Sequence, residues 1–345
     1  MRAAVFHRAA SALSIEQVPE PRAQGADLVI AVKSCGICGS DLHMADVHTP
    51  DGGMKPLPAG TVMGHEFCGE VVEVGPEVRG RWQPGDRVTA LPYIACGQCQ
   101  PCLNGIGYRC DKVRYSGLGD LPGAYAEFLR VGAAEALRLP PGVDYRLGAL
   151  VEPLAVGLHG VHAARIAPGE RVLVMGAGPI GLAATLWARH FGAQHVIVSD
   201  RVPERLALAE RLGATATVNA AVEDVVGACK RYAGGRPDVI LECIGVPGTH
   251  QLAMDYAPAG GRLVIVGVCM APDVILTPKA IKKELQTNYV FMYRRQDFAI
   301  TLELLDAGRI DPTPMLTRPV SFAEFPAAFE ALKNDKRACK VWLEP

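Results

Sequence analysis

The sequence predicts an α/β plus β architecture, in which an all-β region precedes an α/β region within 345 residues. The strand at residues 2–6 is followed by short apolar runs at 28–33, 69–75 and 86–91, separated by Gly and Pro turns. This pattern is typical of a β-barrel or sandwich. From about Val151, short apolar strands alternate with helix-length segments, which indicates βαβ crossovers and a parallel sheet. The length also suits two domains, since a domain usually has about 100–200 residues.

The second region contains most of the recognisable alternation. Strands are predicted at residues 172–175, 196–199, 238–242 and 262–267, and helices from Ile180 and over 204–212. After about Phe298 the pattern changes again, with helices over 299–307 and 323–332. We expect this tail to return to the first region.

Composition and charge exclude several classes of protein. The chain is 49% hydrophobic and 21% charged, and its 35 basic and 36 acidic residues leave a net charge of −1. It therefore has no basic field that would attract nucleic acid or an anionic membrane. The most apolar charge-free run, 172–188, contains three Gly and a Pro and is short for a membrane span. We predict a cytoplasmic protein with neither a nucleic-acid nor a membrane partner.

Four of the eleven cysteines have metal-ligand spacing. Cys96, Cys99, Cys102 and Cys110 form the pattern C-x2-C-x2-C-x7-C. Four thiolates make a closed tetrahedral zinc site, which has a structural role because no position is left for a substrate. An iron–sulfur cluster is the alternative, but the last spacing is longer than in the bacterial ferredoxin run and no Pro follows Cys110. The odd cysteine count in a chain of this size points to a reducing compartment.

A glycine-rich turn predicts a dinucleotide site. It follows the strand at 172–175, opens a helix, and consists of Gly176, Ala177, Gly178, Pro179, Ile180 and Gly181. The glycines allow a tight turn and a close approach to a pyrophosphate at the helix N-terminus. Asp200 ends the next strand and would bind the adenosine ribose hydroxyls, which favours NAD, whereas Arg201 could pair with the 2′-phosphate of NADP. An incidental glycine turn, with Asp200 as a helix cap, is the alternative.

A third set of residues is dispersed along the chain. It comprises the stretch from Cys35 to His43, which contains Cys38, then Gly64-His65-Glu66, and finally Glu152. A mixed Cys, His and carboxylate set suits an open catalytic zinc site with three protein ligands. Each residue alone also has a simpler interpretation: a buried thiol, a core histidine or an acid at a helix start. Only a specific fold brings such separated residues together.

With these pieces in order, the whole chain resembles a zinc-dependent alcohol dehydrogenase of the medium-chain dehydrogenase/reductase superfamily. The motifs that carry the resemblance are CGICGSDLH, GHE, the four-cysteine lobe, EPL from Glu152, and GAGPIG. The resemblance implies a GroES-like β-barrel catalytic domain over residues 1–153, a Rossmann NAD-binding domain over 154–291, and a return to the catalytic domain over 292–345.

The same resemblance assigns roles at the catalytic zinc. It makes Cys38 and His65 ligands and places Glu152 where many members have Cys, as in the polyol, threonine and glucose dehydrogenase branches. Glu66 is similar to an acid that enters or leaves the metal shell, and Asp41 would orient His65. A shell of Zn²⁺, Cys38 thiolate and Glu152 carboxylate has no net charge and favours a neutral alcohol, so we expect Glu66 outside it when alcohol is bound.

Three further roles follow from the resemblance. Ser40 would accept the alcohol proton and pass it to the ribose 2′-hydroxyl of the coenzyme, and His43 would then relay it to solvent, since a histidine titrates near neutrality. A structural Ser and a capping His are the alternatives. Lys340 would contact the coenzyme pyrophosphate, or else be an exposed tail lysine. Gly39 stands where some members have a basic residue.

The sequence thus predicts an NAD-dependent oxidoreductase with two zinc ions per chain that interconverts a secondary alcohol or polyol with the ketone. A dedicated L-threonine, sorbitol or 2,3-butanediol dehydrogenase is an alternative, and a non-catalytic cofactor-binding protein is another. We expect a homodimer or homotetramer, joined through a Rossmann edge strand near residues 273–277. The cysteines outside the two zinc sites are predicted to be small buried hydrophobes.

Overall fold

The N-terminal region forms a β-barrel in a computed structural model that describes residues 1–46, 56–80 and 82–345. The main sheet has the order β10-β6-β5-β3-β18-β17, with β9 also paired to β3, and a small sheet β2-β1-β4 and a hairpin β7-β8 lie beside it. The strands of this region are β1 Arg2–Phe6, β2 Ser14–Gln17, β3 Asp27–Gly36, β4 Thr61–Val62, β5 Glu66–Val74, β6 Arg87–Ala90, β7 Tyr93–Ile94, β8 Arg114–Tyr115, β9 Phe128–Gly132 and β10 Ala136–Arg138; its helices are α1 Gly39–Met44 and α2 Gln100–Leu103.

The middle region is a parallel sheet of six strands in the order β13-β12-β11-β14-β15-β16. This is the doubly wound order of dinucleotide-binding domains, in which ligands bind where the strand order reverses. The strands are β11 Arg171–Met175, β12 His195–Asp200, β13 Ala216–Asn219, β14 Val239–Glu242, β15 Arg262–Ile265 and β16 Gln286–Tyr289; the helices are α3 Tyr145–Ala164, α4 Pro179–His190, α5 Pro203–Arg211, α6 Val225–Ala233, α7 Thr249–Tyr256 and α8 Thr277–Lys283.

The C-terminal tail returns to the barrel. Strand β18 pairs with β3 in the antiparallel direction, with Trp342 opposite Gly36 and Leu343 opposite Cys35. Because β3 carries the chain into the stretch from Cys35 to His43, this pairing brings the end of the chain beside the predicted zinc ligands. The tail elements are α9 Arg295–Asp306, β17 Leu316–Val320, α10 Phe325–Asn334 and β18 Lys340–Leu343.

Helix α3 lies between the two halves of the molecule. Asp144 caps its N-terminus by accepting the Leu147 N–H at 2.9 Å, and the helix contacts β3 and β5 of the barrel as well as α4 and β15 of the parallel sheet. Its mean hydropathy of 1.2 and its length would fit a membrane span, but 72% of the span is buried inside the protein. Its apolar character is therefore explained by its position in the core.

Three expectations differ from the fold in detail. The boundary at residue 153 lies inside the continuous helix α3, and Glu152 is in the middle of that helix rather than at its start. Residues 273–277 do not form a strand: 273–276 have no regular secondary structure and Thr277 begins α8. The edge strand is β16. The sequence of β16, QTNY, lacks the apolar run that marks the central strands, because an edge strand is less buried.

The contact between α3 and α4 gives a test of the packing. A Cβ at Gly157 would lie 2.7 Å from Ala183 Cβ and 2.8 Å from the Ala184 backbone nitrogen, so the helices would have to separate. We expect Gly157→Ala to lower the free energy of unfolding by about 1–3 kcal/mol, the usual cost of overpacking.

Gly160→Ala is the matched control, because it lies one turn away and meets only the Val266 side chain, at 3.0 Å. There, the better helix propensity of Ala should offset the contact. Thermal unfolding of both variants checks the prediction; equal midpoints would contradict it.

Candidate metal centres and coenzyme site

The barrel brings together three of the predicted metal ligands. One potential ligand atom each from Cys38, His65 and Glu66 lie within 4.8 Å of one another. Cys38 is the residue before helix α1, and His65 and Glu66 lie where the chain enters β5. A thiolate, an imidazole and a carboxylate are the donors that zinc takes in open catalytic sites.

A glycine places His65 at this position. Gly64 has a φ of 97°, a conformation that favours glycine, and a Cβ there would lie 2.6 Å from the Tyr125 ring. The loop can therefore pass close to Tyr125 and deliver His65 to the site only with glycine at 64.

The orienting role of Asp41 stays a prediction, but the ring of His65 lies beside its carboxylate. The Nδ1 atom of His65 lies 3.2 Å from Asp41 Oδ1, which leaves Nε2 for a metal. The Tyr125 hydroxyl donates a hydrogen bond to Oδ2 of the same carboxylate, and both Asp41 and Tyr125 are fully buried. Burial alone would lower the pKa of His65, but Asp41 and Cys38 outweigh it and raise the pKa well above its ordinary value.

The two predicted proton-relay residues lie on one face of helix α1. Ser40 Oγ is 3.2 Å from Cys38 Sγ and 3.5 Å from His65 Nε2, so the hydroxyl is beside two of the ligand atoms. His43 is three residues later and exposed. Partial desolvation and the Lys336 ammonium lower the pKa of His43. The relay stays a prediction, with Ser40 beside the ligand atoms and His43 at the surface.

Glu66 and Lys340 form a buried ion pair. Both side chains are almost completely inaccessible, and Lys340 Nζ donates to Glu66 Oε1 and to the Ile37 carbonyl oxygen, the latter at 3.4 Å. The other carboxylate oxygen, Oε2, is buried and has no hydrogen-bond partner among the described residues. Lys340 is therefore not an exposed tail lysine; its pyrophosphate contact stays a prediction.

Glu152 lies close to this group but outside its tightest cluster. The charges of His65, Glu66 and Lys340 act on it, and its Oε1 accepts a hydrogen bond of 2.7 Å from the Tyr293 hydroxyl. Burial raises the pKa of Glu152 to about 7, with Glu66 adding to the shift and His65 opposing it. A third-ligand role for Glu152 thus requires that its free oxygen reach the metal.

The four cysteines of the lobe also converge. Their sulfur atoms all lie within 4.8 Å of one another, with Cys99 to Cys102 at 3.4 Å and Cys96 to Cys102 at 3.9 Å. A tetrahedral site with Zn–S bonds of about 2.3 Å has sulfur–sulfur distances of about 3.8 Å. The two observed distances lie on either side of this value, so the four sulfurs are close enough to surround one ion.

Hydrogen bonds and burial affect these thiols differently. The backbone N–H groups of Gln98 and Cys99 lower the pKa of Cys96 to about 6, whereas burial and neighbouring thiols raise that of Cys102 to about 12. Four close sulfurs cannot all ionise without a cation between them, so this donor set suits a dication.

The glycine-rich turn has the geometry of a phosphate-binding loop. Gly176 has a φ of 91°, Gly178 caps α4, and Pro179 and Ile180 begin its first turn. A Cβ at Gly181 would lie 1.8 Å from the Gly176 carbonyl oxygen, so the helix packs on the strand only with glycine there. The loop lies at the carboxyl end of the central strand β11, where a pyrophosphate binds in this fold.

Asp200 is tied to the loop in this structure. Its Oδ2 accepts the Ala177 N–H at 2.7 Å, and its Oδ1 accepts the N–H groups of Arg201 and Val202 at 2.7 and 2.9 Å. The carboxylate therefore stabilises its own turn at the end of β12, beside the glycine loop; it is not the cap of α5, which is Val202. The Arg201 side chain is exposed.

Two site residues were missed from the sequence. Tyr125 and Tyr293 carry hydroxyls that hold Asp41 and Glu152, but neither belongs to a motif with a fixed spacing, so no local signal marks them. The cysteines outside the sites are only partly as expected. Cys35, Cys68, Cys229 and Cys339 are buried, whereas Cys243 and Cys269 are half-buried, and all eleven cysteines are free thiols.

Comparisons with known proteins cover both regions of the chain. Residues 24–141 match the model of the alcohol dehydrogenase GroES-like domain, and residues 179–307 match that of the zinc-binding dehydrogenases. The chain is 34% identical to an L-threonine 3-dehydrogenase of Aeromonas salmonicida over 322 residues, 92% of each protein. It is 31% identical to the sorbitol dehydrogenase of Bacillus subtilis over 350 aligned positions, which span 100% of this chain and 97% of the relative.

Solved structures extend the similarity to the whole fold. A protein of Sinorhizobium meliloti 1021 with bound NADP superimposes with a TM-score of 0.88 at 34% identity, over 100% of this chain and 99% of its own. An Escherichia coli alcohol dehydrogenase complexed with NADH has a TM-score of 0.90 at 27% identity with the same coverage. The predicted barrel and Rossmann folds are confirmed. The chain belongs to the zinc-dependent alcohol dehydrogenases of the medium-chain dehydrogenase/reductase superfamily and is an oxidoreductase that interconverts alcohols and ketones with zinc and a nicotinamide coenzyme.

Proposed function

We propose that this enzyme is an NAD-dependent dehydrogenase that oxidises a secondary alcohol or polyol to the ketone and uses one catalytic and one structural zinc ion per chain. The observation that carries the proposal is the cluster of Cys38, His65 and Glu66 with the Ser40 hydroxyl against it. It combines metal donors with a proton acceptor in one place, which a structural site does not need.

Cys38, His65 and Glu152 would hold the catalytic zinc, and Cys96, Cys99, Cys102 and Cys110 the structural one. The catalytic ion, when bound, acts as a Lewis acid that lowers the pKa of a coordinated alcohol. Asp41 and Tyr125 keep Nε2 of His65 available, and Lys340 neutralises Glu66. One thiolate and one free carboxylate then balance a dication, which suits a neutral substrate.

The chain's own residues supply the proton route. Ser40 Oγ accepts the substrate proton as it releases its own hydroxyl proton, and His43 takes up a proton at the surface end of this route and passes it to solvent. The lowered pKa of His43 leaves its imidazole neutral at neutral pH, as a proton acceptor must be.

NAD is the proposed coenzyme because of Asp200. Its carboxylate ends strand β12 beside the phosphate loop, where it would bind the ribose hydroxyls and repel the 2′-phosphate of NADP. Arg201 is exposed beside it and weakens this discrimination. Lys340 is buried in its ion pair with Glu66. We include a contact between Lys340 and the coenzyme pyrophosphate in the proposal.

The substrate class follows from the relatives rather than from a pocket. Threonine and sorbitol dehydrogenases both act on secondary alcohols, and Glu152 occupies the position of the third ligand in such branches. Dedicated L-threonine, sorbitol and 2,3-butanediol activities are alternatives within this class. A non-catalytic, coenzyme-binding protein is the least favoured, because the relatives are dehydrogenases and Cys38, His65 and the Ser40 hydroxyl lie together.

We also propose a homo-oligomer and a cytoplasmic location. Apolar side chains around the edge strand β16 are solvent-exposed, among them Val274, Ile281, Tyr289 and Phe291. Such a cluster at an open sheet edge is typical of a surface that a second copy covers. The cytoplasmic location is supported by the eleven free thiols, which suit a reducing compartment.

Metal content and activity test the function directly. The purified enzyme should contain about two zinc ions per chain and reduce NAD with at least one member of a panel of secondary alcohols, diols, sugar alcohols and L-threonine. Cys102→Ser should lose one zinc ion, whereas Cys229→Ser, a buried thiol outside both sites, should retain both. One zinc ion or none in the unmodified enzyme would refute the two-site proposal, and no NAD reduction with any substrate would refute the activity.

Coenzyme preference tests Asp200. Asp200→Asn keeps an acceptor for the loop N–H groups but removes the charge, so the ratio of kcat/KM for NADP to that for NAD should rise about tenfold, or ~1.4 kcal/mol. Asp200→Gly should shift the ratio in the same direction, and it also removes the hydrogen bond that holds the glycine loop to the end of β12. Asp224→Asn, which changes a helix-capping acid on α6, is the control. An unchanged ratio in both Asp200 variants would contradict the assignment.

The pH dependence tests the relay. His43→Gln should slow alcohol oxidation most between the lowered pKa of His43 and neutrality, where the imidazole is neutral but hydroxide is scarce. At alkaline pH hydroxide takes the proton directly, and below the pKa of His43 the native imidazole is itself protonated. In both pH ranges the difference in kcat between the unmodified enzyme and His43→Gln should therefore narrow. Steady-state kcat measured across pH checks this, and an equal loss at every pH would exclude the relay.

A further inference from the structure

Two buried carboxylates flank the Cys38 and His65 donors, and each is held by a different partner. Glu66 Oε1 accepts from the Lys340 ammonium, and Glu152 Oε1 accepts from the Tyr293 hydroxyl at 2.7 Å. The partners differ in charge: one is a cation and the other a neutral phenol. This difference decides which carboxylate has a charge left for a metal.

The Glu66–Lys340 pair is neutral as a unit. Both side chains are buried, with exposed fractions of 0% and 2%, so separating them would leave a lone charge in a low-dielectric environment. Breaking such a pair is strongly destabilising. Glu66 can therefore offer an ion only its second oxygen, Oε2, which has no hydrogen-bond partner among the described residues.

The charge of Glu152 has no such partner. In the part of the chain that the structure describes, Tyr293 is its hydrogen-bond partner, and the ion-pair contacts include none with Glu152. The residue is 6% exposed, so solvent does little to stabilise its anion. A dication beside Cys38 and His65 would neutralise this carboxylate, whose charge no cation pairs among the described residues.

Tyr293 is well placed to act as a rigid support. It is fully buried, its ring packs against Phe298 with centroids 4.9 Å apart, and it lies between β16 and α9, the helix that packs on α3. Since α3 carries Glu152, the hydrogen bond joins two packed segments that are 141 residues apart in sequence. The hydroxyl occupies Oε1 and leaves Oε2 available.

We propose that Tyr293 is a positioning residue of the catalytic metal centre, which by holding Glu152 Oε1 keeps the other oxygen of Glu152 available as a carboxylate ligand. The inference rests on the proposed catalytic zinc site. Hydrogen bonds to ligating side chains orient them, and their loss usually lowers metal affinity by about 10- to 100-fold.

The test removes the hydroxyl and keeps the ring. In Tyr293→Phe, the affinity of the catalytic site for Zn²⁺ should fall by about tenfold or more, measured by competition with a chelator on the holoenzyme. Cobalt(II) substitution supplies a second readout, because ligand-field absorption distinguishes a site with one thiolate from the four-thiolate lobe. Its bands should change in Tyr293→Phe. Tyr145→Phe, which removes a hydroxyl 3.4 Å from Glu70 in the barrel, is the control and should change neither readout.

A second background separates positioning from general packing. A Cys at position 152 has a single ligand atom and no carboxylate oxygen for the Tyr293 hydroxyl to hold. In the Glu152→Cys background, the further change Tyr293→Phe should therefore leave metal affinity unaltered. A merely structural role would persist in that background, and its persistence would overturn the inference.

Glu152→Ala distinguishes failure of the inference from failure of the site. If Glu152→Ala weakens metal binding and Tyr293→Phe does not, Tyr293 has no positioning role although Glu152 is a ligand. If Glu152→Ala also leaves the affinity unchanged, the ligand assignment in the proposed function fails together with the inference. Weakening in both single variants, abolished in the Glu152→Cys background, supports it.

Discussion

The packing of helix α3 between the barrel and the parallel sheet is the constraint on which the rest of the structure depends. The helix contacts β3 and β5 on one side and α4 and β15 on the other. Gly157 lets α4 approach so closely that a Cβ at this position would lie 2.7 Å from the Cβ of Ala183. Because Glu152 is in the same helix, the contact that joins the two domains also determines where the third candidate ligand lies. Stability and the geometry of the site are therefore set by one element.

Burial of several charges in one place imposes a second requirement, which is that each charge be matched. Asp41 faces His65 and receives the Tyr125 hydroxyl, and Glu66 faces Lys340. Unmatched buried charges are costly, so the site is arranged in pairs and leaves one thiol and one carboxylate for a cation. The four-cysteine lobe meets the same requirement in a simpler way, since its thiolates surround one ion.

The coenzyme side of the molecule is built from backbone rather than from charged side chains. Gly176, Gly178 and Gly181 open the turn after β11, and the carboxylate of Asp200 stabilises its own turn and accepts the Ala177 N–H of the loop. A carboxylate that already receives N–H groups is held in place before a ribose arrives. The entropy of the Asp200 side chain is therefore already lost on folding and does not reduce the affinity for the coenzyme.

The sequence by itself determined the features that depend on neighbouring residues. The cysteine spacing, the glycine turn and the apolar strands of the sheet each lie within a few residues, so local geometry suffices to predict them. The short helix after Cys38 carries Ser40, Asp41 and His43, but the roles given to them came only through family resemblance. The relation of Cys38, His65 and Glu152 to one another came only through family resemblance.

The tertiary structure alone decided what holds these residues. The bond between Tyr293 and Glu152 spans 141 residues, and that between Lys340 and Glu66 spans 274. Neither follows from a local pattern, because such contacts exist only after α9 has packed on α3 and β18 has paired with β3. The same holds for β16, whose polar sequence forms a strand because β15 offers it an edge. Motifs within a few residues can be predicted from the sequence, whereas the partner of a buried charge depends on how distant elements pack.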